Sequence, residues 1–405
     1  WYLKIQLKGE NTMNKKLASV FMASTIFAGV LAGCAGGAKE SSGGSNSDTI
    51  KLGINLELSG NVASYGESMS KGIEMAVDEI NKNGGVDGKK FDVVKVDNKS
   101  EAAEATNGII KLTSQDKVTA VIGAATSGNT VAQAQIANDT KTVLIAPGGT
   151  SPTVTVDEKG KVRPFVFRTS FIDPFQGTVA ANFALDTLKI KDAAIFADNS
   201  SDYAKGLSDA FKETFEAAGG KIVAEEAYVA KDTDFRATLT RIKAKNPSFI
   251  FIPGYYEEVG LIVKQARELG IDVPLVGADG WDSPKLVDLA GAEALNNTYL
   301  INHYSSEDPD EKVQNFVTAF KEKNKGEAPN AFNALGYDTV YFLADAVKRA
   351  GSTDSSKIQA ELAKTKDLSL VTGVVTIDEN HHPIKTATIL EYVDGKQVFN
   401  TKVNP

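Results

Sequence analysis

The strongest constraint on the fold comes from two segments, residues 118–130 and 142–152, that share one pattern. In each segment an apolar run rich in β-branched residues is followed at once by glycines and small hydroxyl residues. An uninterrupted apolar run of this kind is typical of a parallel strand that is covered on both faces. Since parallel strands are joined by long crossovers, usually helices, the pattern predicts an α/β fold with buried sheets.

The residues that follow these two strands predict a binding site for an anion. Open α/β sheets bind their ligands at the carboxyl ends of the strands. Thr126, Ser127 and Thr150 bring hydroxyl groups to those ends, and Gly148 and Gly149 allow backbone N–H groups to approach a ligand closely. In either segment alone, such residues could serve only as helix caps and turns. Because two successive strands end in the same way, we interpret them as parts of a carboxylate site.

Strands and helices alternate along the rest of the chain and predict two units of similar design. In the first unit, the patterns predict strands at 49–56 and 91–97 and helices at 70–83 and 101–114. A second doubly wound unit is predicted to begin near residues 163–170. The length of 405 residues is sufficient for two domains.

Three further helices follow the second unit, predicted at 312–323, 332–350 and 355–365, and a short β-rich tail follows them. We expect these late helices to return to the first unit, an arrangement that periodicity alone leaves open. The two adjacent histidines, His381 and His382, are predicted to lie in a solvated hairpin rather than to bind a metal, because neighbouring side chains in a turn point apart.

The beginning of the chain predicts export and lipid attachment. Residues 13–33 have a basic start, an apolar run and small residues before Cys34, which together predict a lipoprotein signal peptide. Cys34 is the only cysteine, so disulfides are excluded and we expect it to carry the lipid. An ordinary secretory signal with an incidental cysteine is the alternative. Residues 34–48 are rich in Gly and Ser and predict a flexible tether, and residues 1–12 are predicted to be a non-native upstream extension.

Charge and motifs exclude several classes of function. The formal net charge is −8 and no block of Lys and Arg is present, which argues against a nucleic-acid partner. The chain has no G-x-S-x-G or G-x-x-x-x-G-K-[ST] motif and only three histidines, so an enzyme is not expected. A surface hydrolase is left as a minor alternative.

Seven short stretches occur in a characteristic order over nearly the whole chain from residue 49. They are residues 59–66, 81–86, 121–127, 146–152, 203–206, 254–256 and 277–280. In this order they resemble the type I periplasmic binding proteins, specifically the branched-chain amino acid receptors of ABC transporters, of the leucine/isoleucine/valine-binding type.

The resemblance implies two Rossmann-like lobes joined by three hinge crossovers, with one ligand in the cleft between them. The crossovers are expected near Arg168, Asn302 and Pro383. The first lobe then comprises residues 49–168 and 303–382, and the second lobe comprises residues 169–302 and 383–405.

The resemblance also implies roles for individual residues. Ser127 and Thr150 correspond to the donors to the ligand α-carboxylate, and Gly148 corresponds to the residue whose carbonyl accepts from the α-ammonium. Asp279 stands where the family commonly has a Glu that pairs with the ammonium, so its side chain is one methylene shorter. Aromatic residues that would line the pocket are Tyr65, Tyr203, Tyr255 and Tyr256, and of the adjacent pair we expect one to face the ligand.

The resemblance implies a receptor that captures leucine, isoleucine or valine and delivers it to an ABC permease and its ATPase subunits. No cofactor and no metal are expected. Together with the lipid on Cys34, it implies an extracytoplasmic protein anchored to the membrane, most readily on the surface of a Gram-positive cell. Two alternatives are left open: a receptor for another small amide or carboxylate, such as urea or an aromatic acid, and a ligand-sensing module.

Overall fold

The computed structural model of the chain describes residues 49–405. The predictions made for residues 1–12, the signal peptide, Cys34 and the tether therefore lie outside the described residues. Within the described part of the chain, no helix is both long enough and apolar enough to cross a membrane.

The strands and helices alternate as the sequence pattern predicts. In chain order the strands are β1 (Thr49–Leu56), β2 (Lys90–Asp97), β3 (Ala120–Ile122), β4 (Val143–Ala146), β5 (Val166–Arg168), β6 (Asp192–Asp198), β7 (Lys221–Tyr228), β8 (Ile250–Phe251), β9 (Leu275–Gly277), β10 (Thr298–Asn302), β11 (Leu368–Leu370), β12 (Gly373–Ile377), β13 (Pro383–Ile384), β14 (Ala387–Val393) and β15 (Lys396–Val403). The α-helices are α1 (Ala63–Lys82), α2 (Ala102–Ile110), α3 (Ser127–Asp139), α4 (Asp173–Asn182), α5 (Asp202–Ala217), α6 (Arg236–Ala244), α7 (Tyr256–Glu268), α8 (Pro284–Ala290), α9 (Glu311–Lys323), α10 (Ala331–Ala350) and α11 (Ser355–Leu362).

The two main sheets share one order of five parallel strands. The first has the strand order β2-β1-β3-β4-β5, and all its pairs are parallel. The second has the order β15-β14-β10-β9-β8-β6-β7. Its parallel strands β6 to β10 repeat the order of the first sheet, and the antiparallel strands β14 and β15 extend the β10 edge. The predicted α/β fold with two doubly wound sheets is confirmed.

In each sheet the strand order reverses at one place, between β1 and β3 and between β6 and β8. At such a point the two connections leave on opposite faces of the sheet and open a crevice at the carboxyl ends of the strands. Residues 57–66 follow β1 and residues 123–127 follow β3, so both border the crevice of the first sheet.

The chain changes sheet at three places. The strand that ends at Arg168 belongs to the first sheet, and the next strand belongs to the second. After Asn302 the chain forms helices that pack against the first lobe, and after Pro383 it returns to add β14 and β15 to the second sheet. We therefore propose to keep the lobe boundaries at these three positions.

Helices α1 and α10 pack with their backbones in direct contact, although they are far apart in sequence. A Cβ atom on Gly72 would lie 2.0 Å from the carbonyl oxygen of Asn333, and one on Gly336 would lie 2.4 Å from that of Met69. The hydroxyl of Tyr337 on α10 donates to Glu79 on α1 at 2.6 Å. This contact attaches the late helices to the first lobe.

We expect Gly72→Ala to lower the free energy of unfolding. The new methyl group would force α1 away from the Asn333 carbonyl, and overpacking of this kind costs about 1–3 kcal/mol. Glycine to alanine in a helix gains only about 1 kcal/mol in propensity, so the loss is expected to dominate. Urea unfolding of the ligand-free protein measures the change. Glu67→Ala, on the exposed face of α1, is the control and should stay within about 0.5 kcal/mol of the wild type. An unchanged or raised stability of Gly72→Ala would show that the helices do not approach this closely.

Candidate functional site

A small cavity lies where the carboxyl ends of the two sheets face each other. The first lobe contributes Tyr65, Ala125, Thr126, Ser127, Gly148, Thr150 and Phe332, and the second lobe contributes Tyr203, Tyr255, Asp279 and Gly280. The structure thus brings most of the predicted site residues together. Gly149 and Tyr256 do not line the cavity.

Two hydroxyl residues of the first lobe line the cavity. Ser127 is the first residue of α3, and its Oγ accepts a hydrogen bond from the backbone N–H of Ser151 at 3.0 Å. The hydroxyl hydrogen of Ser127 is therefore left to donate to a ligand. Thr150 is almost fully buried, follows β4 and lines the same cavity. Together these residues can bind a carboxylate beside the N-terminus of α3.

Thr126 differs from its predicted role because its polar groups are already bound within the protein. Glu57, which directly follows β1 and is fully buried, accepts from the Thr126 hydroxyl at 2.8 Å and from its backbone N–H at 3.1 Å. The same carboxylate accepts from the N–H of Ala125 and from Nδ2 of Asn129, each at 2.8 Å. Thr126 therefore holds the loop in place, and its hydroxyl hydrogen is not free for a ligand.

The acid of the cavity is Asp279, which follows β9 in the second lobe. Its Oδ1 accepts from the Tyr203 hydroxyl at 2.8 Å, and its Oδ2 lies 3.1 Å from Nε2 of His303. Burial lowers the pKa of His303 to about 4, so the imidazole is neutral at pH 7 and Nε2–H donates to the carboxylate. A carboxylate oxygen can accept more than one hydrogen bond, so Asp279 keeps capacity for a ligand cation.

A second buried acid lies close to Asp279. Asp173, the first residue of α4, is fully buried and lies close to the Thr150 side chain. Burial raises the pKa of Asp173 well above its usual value, a hydrogen bond from the Thr150 side chain opposes this shift, and the nearby Asp279 carboxylate raises the pKa further. The local sequence does not mark Asp173 as a site residue, because an Asp before Pro174 at a helix start is an ordinary capping pattern.

Aromatic rings form the remaining walls. The rings of Tyr203 and Tyr255 are stacked, with centroids 5.1 Å apart and an angle of 10° between their planes. The ring of Tyr65 lies edge-on to that of Tyr255, with centroids 5.8 Å apart. It also packs against the ring of Phe332, with centroids 4.4 Å apart. Phe332 was missed from the sequence. It shares one signal with Tyr65 and Tyr203, since all three are aromatic residues in the first turn of a helix.

The lobes are closed on each other in this structure. The Tyr65 hydroxyl donates to the carbonyl of Gly280 in the other lobe, and the backbone N–H of Tyr256 donates to the Tyr65 hydroxyl at 3.2 Å. The Tyr256 hydroxyl donates to the carbonyl of Asn61 at 3.0 Å. Tyr256 thus joins the lobes beside the cavity, and of the adjacent tyrosines it is Tyr255 that lines it.

Gly149 also has a different place from the predicted one. Its carbonyl accepts from Nη1 of Arg168 at 2.8 Å, and Arg168 is fully buried at the end of β5. A Cβ on Gly149 would lie 2.8 Å from Oγ1 of Thr130. Gly149 therefore allows the loop after β4 to pack tightly beneath the cavity.

The prediction of a solvated hairpin at the histidine pair is wrong for His381. Its ring is buried and stacks on Phe167 with centroids 4.0 Å apart, and its Nδ1 bonds the carbonyl of Val166 at 2.8 Å. The hairpin folds back over the end of β5, which the local sequence does not reveal. Among residues 49–405, no group of three or more His, Cys, Asp and Glu side chains could hold a metal ion.

Comparison with known proteins gives consistent matches over the described chain. Residues 49–397 match the family model described as "Periplasmic binding protein". The leucine-, isoleucine-, valine-, threonine- and alanine-binding protein of Pseudomonas aeruginosa is 30% identical over 332 residues, which are 82% of this chain and 86% of that protein.

Two solved structures have the same fold at higher identity. The branched-chain amino acid transporter substrate binding protein LivJ of Streptococcus pneumoniae, solved in complex with isoleucine, is 43% identical with a TM-score of 0.83, and the match covers 88% of this chain and 100% of that one. The leucine binding protein LivK of Thermotoga maritima is 35% identical with a TM-score of 0.83 and is covered to 99%, against 88% of this chain.

We expect the ligand-free protein to lose stability between pH 7 and pH 5, in part through His303. The folded state keeps this imidazole neutral with a pKa of about 4, whereas the unfolded chain has the usual pKa near 6.5. Between these values the unfolded state binds more protons, so this contribution is complete above pH 6.5 and is lost as the pH falls towards 4. The expected loss from His303 between pH 7 and pH 5 is about 2 kcal/mol. Urea unfolding at pH 7, 6 and 5 measures the slope, and His303→Gln, which cannot titrate, should flatten it. Equal slopes for the two proteins would contradict the neutral buried state.

Proposed function

Because the chain belongs to the periplasmic binding protein family, we propose that it captures leucine, isoleucine or valine between its lobes for an ABC importer. One observation carries the proposal: the hydroxyl donors Ser127 and Thr150 of the first lobe and the acid Asp279 of the second line the same cavity. A free amino acid has a carboxylate and an ammonium on one carbon, so it matches donors on one wall and an acid on the other. The names of the relatives support the choice of a branched-chain amino acid.

The rest of the cavity suits an apolar side chain. Beyond the polar groups, its walls are the rings of Tyr65, Tyr203, Tyr255 and Phe332 and the small residues between them. Such walls exclude water and bind aliphatic groups, but one methylene changes affinity by only about 1–3 kcal/mol. We therefore expect similar affinities for leucine, isoleucine and valine, and much weaker binding of charged amino acids.

Ligand binding would favour the closed arrangement of the lobes. An amino acid that touches Ser127 in one lobe and Asp279 in the other makes both sets of contacts only when the lobes are together. Because the ligand makes more contacts in the closed state, it shifts the equilibrium between open and closed lobes towards the closed state. The inter-lobe hydrogen bonds of Tyr65 and Tyr256 would then form with the ligand enclosed.

The closed receptor would present its ligand to the permease, and transport energy would come from the ATPase subunits of the importer. The family binds solutes rather than transforming them, and we propose the same for this chain. The lipid predicted on Cys34 would keep the receptor at the outer face of the membrane, next to the permease.

A receptor for a small carboxylate or amide without an ammonium group is the alternative function. Such a ligand would use Ser127 and Thr150 but would have no need of a buried acid. A variant that lacks the Asp279 carboxylate therefore distinguishes the two functions.

We expect Asp279→Asn to weaken the binding of leucine roughly 10- to 100-fold, because a hydrogen bond to a charged group contributes about 1.5–3 kcal/mol. A thermal-shift screen of the amino acids on the wild type identifies the best ligand, since a ligand at 100 times its dissociation constant stabilises by about 2.7 kcal/mol. Calorimetry then compares the variants. Asp288→Asn, an exposed carboxylate on α8, is the control and should bind as the wild type does. Undiminished binding of the amino acid by Asp279→Asn would contradict the assignment.

We expect Cys34→Ser to abolish lipid attachment of the full-length chain in a bacterial host. The wild type should incorporate a labelled fatty acid and sediment with membranes, whereas the variant should do neither, because no other cysteine can carry the lipid. Ser41→Ala, in the predicted tether, serves as the control. Labelling of the Cys34→Ser protein would exclude Cys34 as the attachment site.

A further inference from the structure

The carboxylate of Asp279 is held by donors on two sides. The Tyr203 hydroxyl donates to Oδ1 at 2.8 Å, and His303 Nε2 lies 3.1 Å from Oδ2. The Asp279 backbone N–H donates to Oε1 of Gln176 at 3.1 Å, and the N–H of Gly280 donates to the Tyr203 oxygen at 2.9 Å. Both the backbone and the side chain of Asp279 are therefore oriented by the protein.

The imidazole of His303 is held in one position, from which it can donate a hydrogen bond. It directly follows β10, has 2% of its surface exposed, and its ring stacks on Phe171 with centroids 3.6 Å apart and an angle of 24°. Its backbone N–H is bound by the side chain of Asn302 at 2.8 Å. Among the described residues, Nδ1 of His303 has no hydrogen-bond partner. The tautomer with the proton on Nε2 therefore satisfies the hydrogen bond between the ring and Asp279.

We propose that His303 is a positioning residue for the ligand ammonium: it donates Nε2–H to Asp279 Oδ2 and so holds the carboxylate in the orientation that accepts from the ligand. The inference rests on the proposed function and deepens it, because it gives a residue that does not line the cavity a part in recognising the ligand ammonium. His303 does not line the cavity and is not expected to touch the ligand.

The short side chain of Asp279 gives such a residue a role. Its carboxylate stays close to its own backbone and has little freedom to adjust to the ligand. A donor on each oxygen fixes the plane of the carboxylate while leaving further lone pairs for the ammonium. Pre-organisation of this kind raises affinity because less side-chain entropy is lost when the ligand binds.

The experiment compares two amides of different reach at position 303. The amide nitrogen of His303→Gln can occupy the place of Nε2, whereas that of His303→Asn ends near the place of Nδ1 and is too short to reach Asp279. We expect His303→Gln to bind leucine within about threefold of the wild type and His303→Asn to bind it about tenfold more weakly, as measured by calorimetry at pH 7.

A double-mutant cycle supplies a readout that a purely structural role would not change. If His303 acts through Asp279, then His303→Asn in an Asp279→Asn background should change the leucine dissociation constant less than twofold, measured by competition where binding is weak. His381→Asn is the matched control, because His381 is also buried and stacked on a Phe but bonds the Val166 carbonyl, outside the cavity. It should bind leucine as the wild type does.

The outcomes separate the inference from the proposed function. Wild-type affinity of His303→Asn would overturn the inference, and so would equal weakening by His303→Gln and His303→Asn or a full tenfold effect that persists in the Asp279→Asn background. If His303→Asn does not fold, His303→Gln still decides, since weakening of more than tenfold in a folded His303→Gln protein would also overturn the inference. A wild-type protein that binds none of leucine, isoleucine and valine would overturn the proposed function instead.

Discussion

One buried carboxylate holds the loop on which the binding site of the first lobe depends. Glu57 lies at the end of β1 with no exposed surface, and its oxygens accept four hydrogen bonds from the segment that follows β3. An ionised group left without partners in a protein interior costs several kcal/mol, so arrangements of this loop that leave Glu57 unpaired are strongly disfavoured. The N-terminus of α3 stabilises the same charge. Ser127 is consequently presented at a fixed position in the crevice between β1 and β3.

The second lobe also has a buried carboxylate at the end of a strand, but this one can bind a ligand. Asp279 also lies at a strand end and is also oriented by buried donors, Tyr203 and His303. It receives two side-chain hydrogen bonds where Glu57 receives two from side chains and two from backbone N–H groups. Asp279 therefore keeps lone pairs for a ligand and lines the cavity, whereas the oxygens of Glu57 are bound within the protein and Glu57 does not line the cavity.

Patterns of the sequence predicted the fold and many of the residues around the cavity, for reasons that are local. A strand followed by small polar residues indicates a ligand-facing end, and this pattern selected Ser127 and Thr150. It selected Thr126 and Gly149 equally, because nothing in the local sequence shows that Glu57 and Arg168 bind their polar groups. Phe332 was not predicted because it reaches the cavity from α10, which returns to the first lobe after strands β6 to β10 of the second sheet.

By itself, the sequence determined the two doubly wound units and which segments end at the ligand side of each sheet, because hydrophobic periodicity and short-range turn chemistry act over a few residues. Only the tertiary structure decided which polar groups remain free. Tyr256 joins the lobes while Tyr255 lines the cavity, and His303 supports Asp279 while His381 packs against β5. A hydrogen-bonding group is available to a ligand only if no internal partner satisfies it, and those partners come from segments distant in sequence that meet when the chain folds.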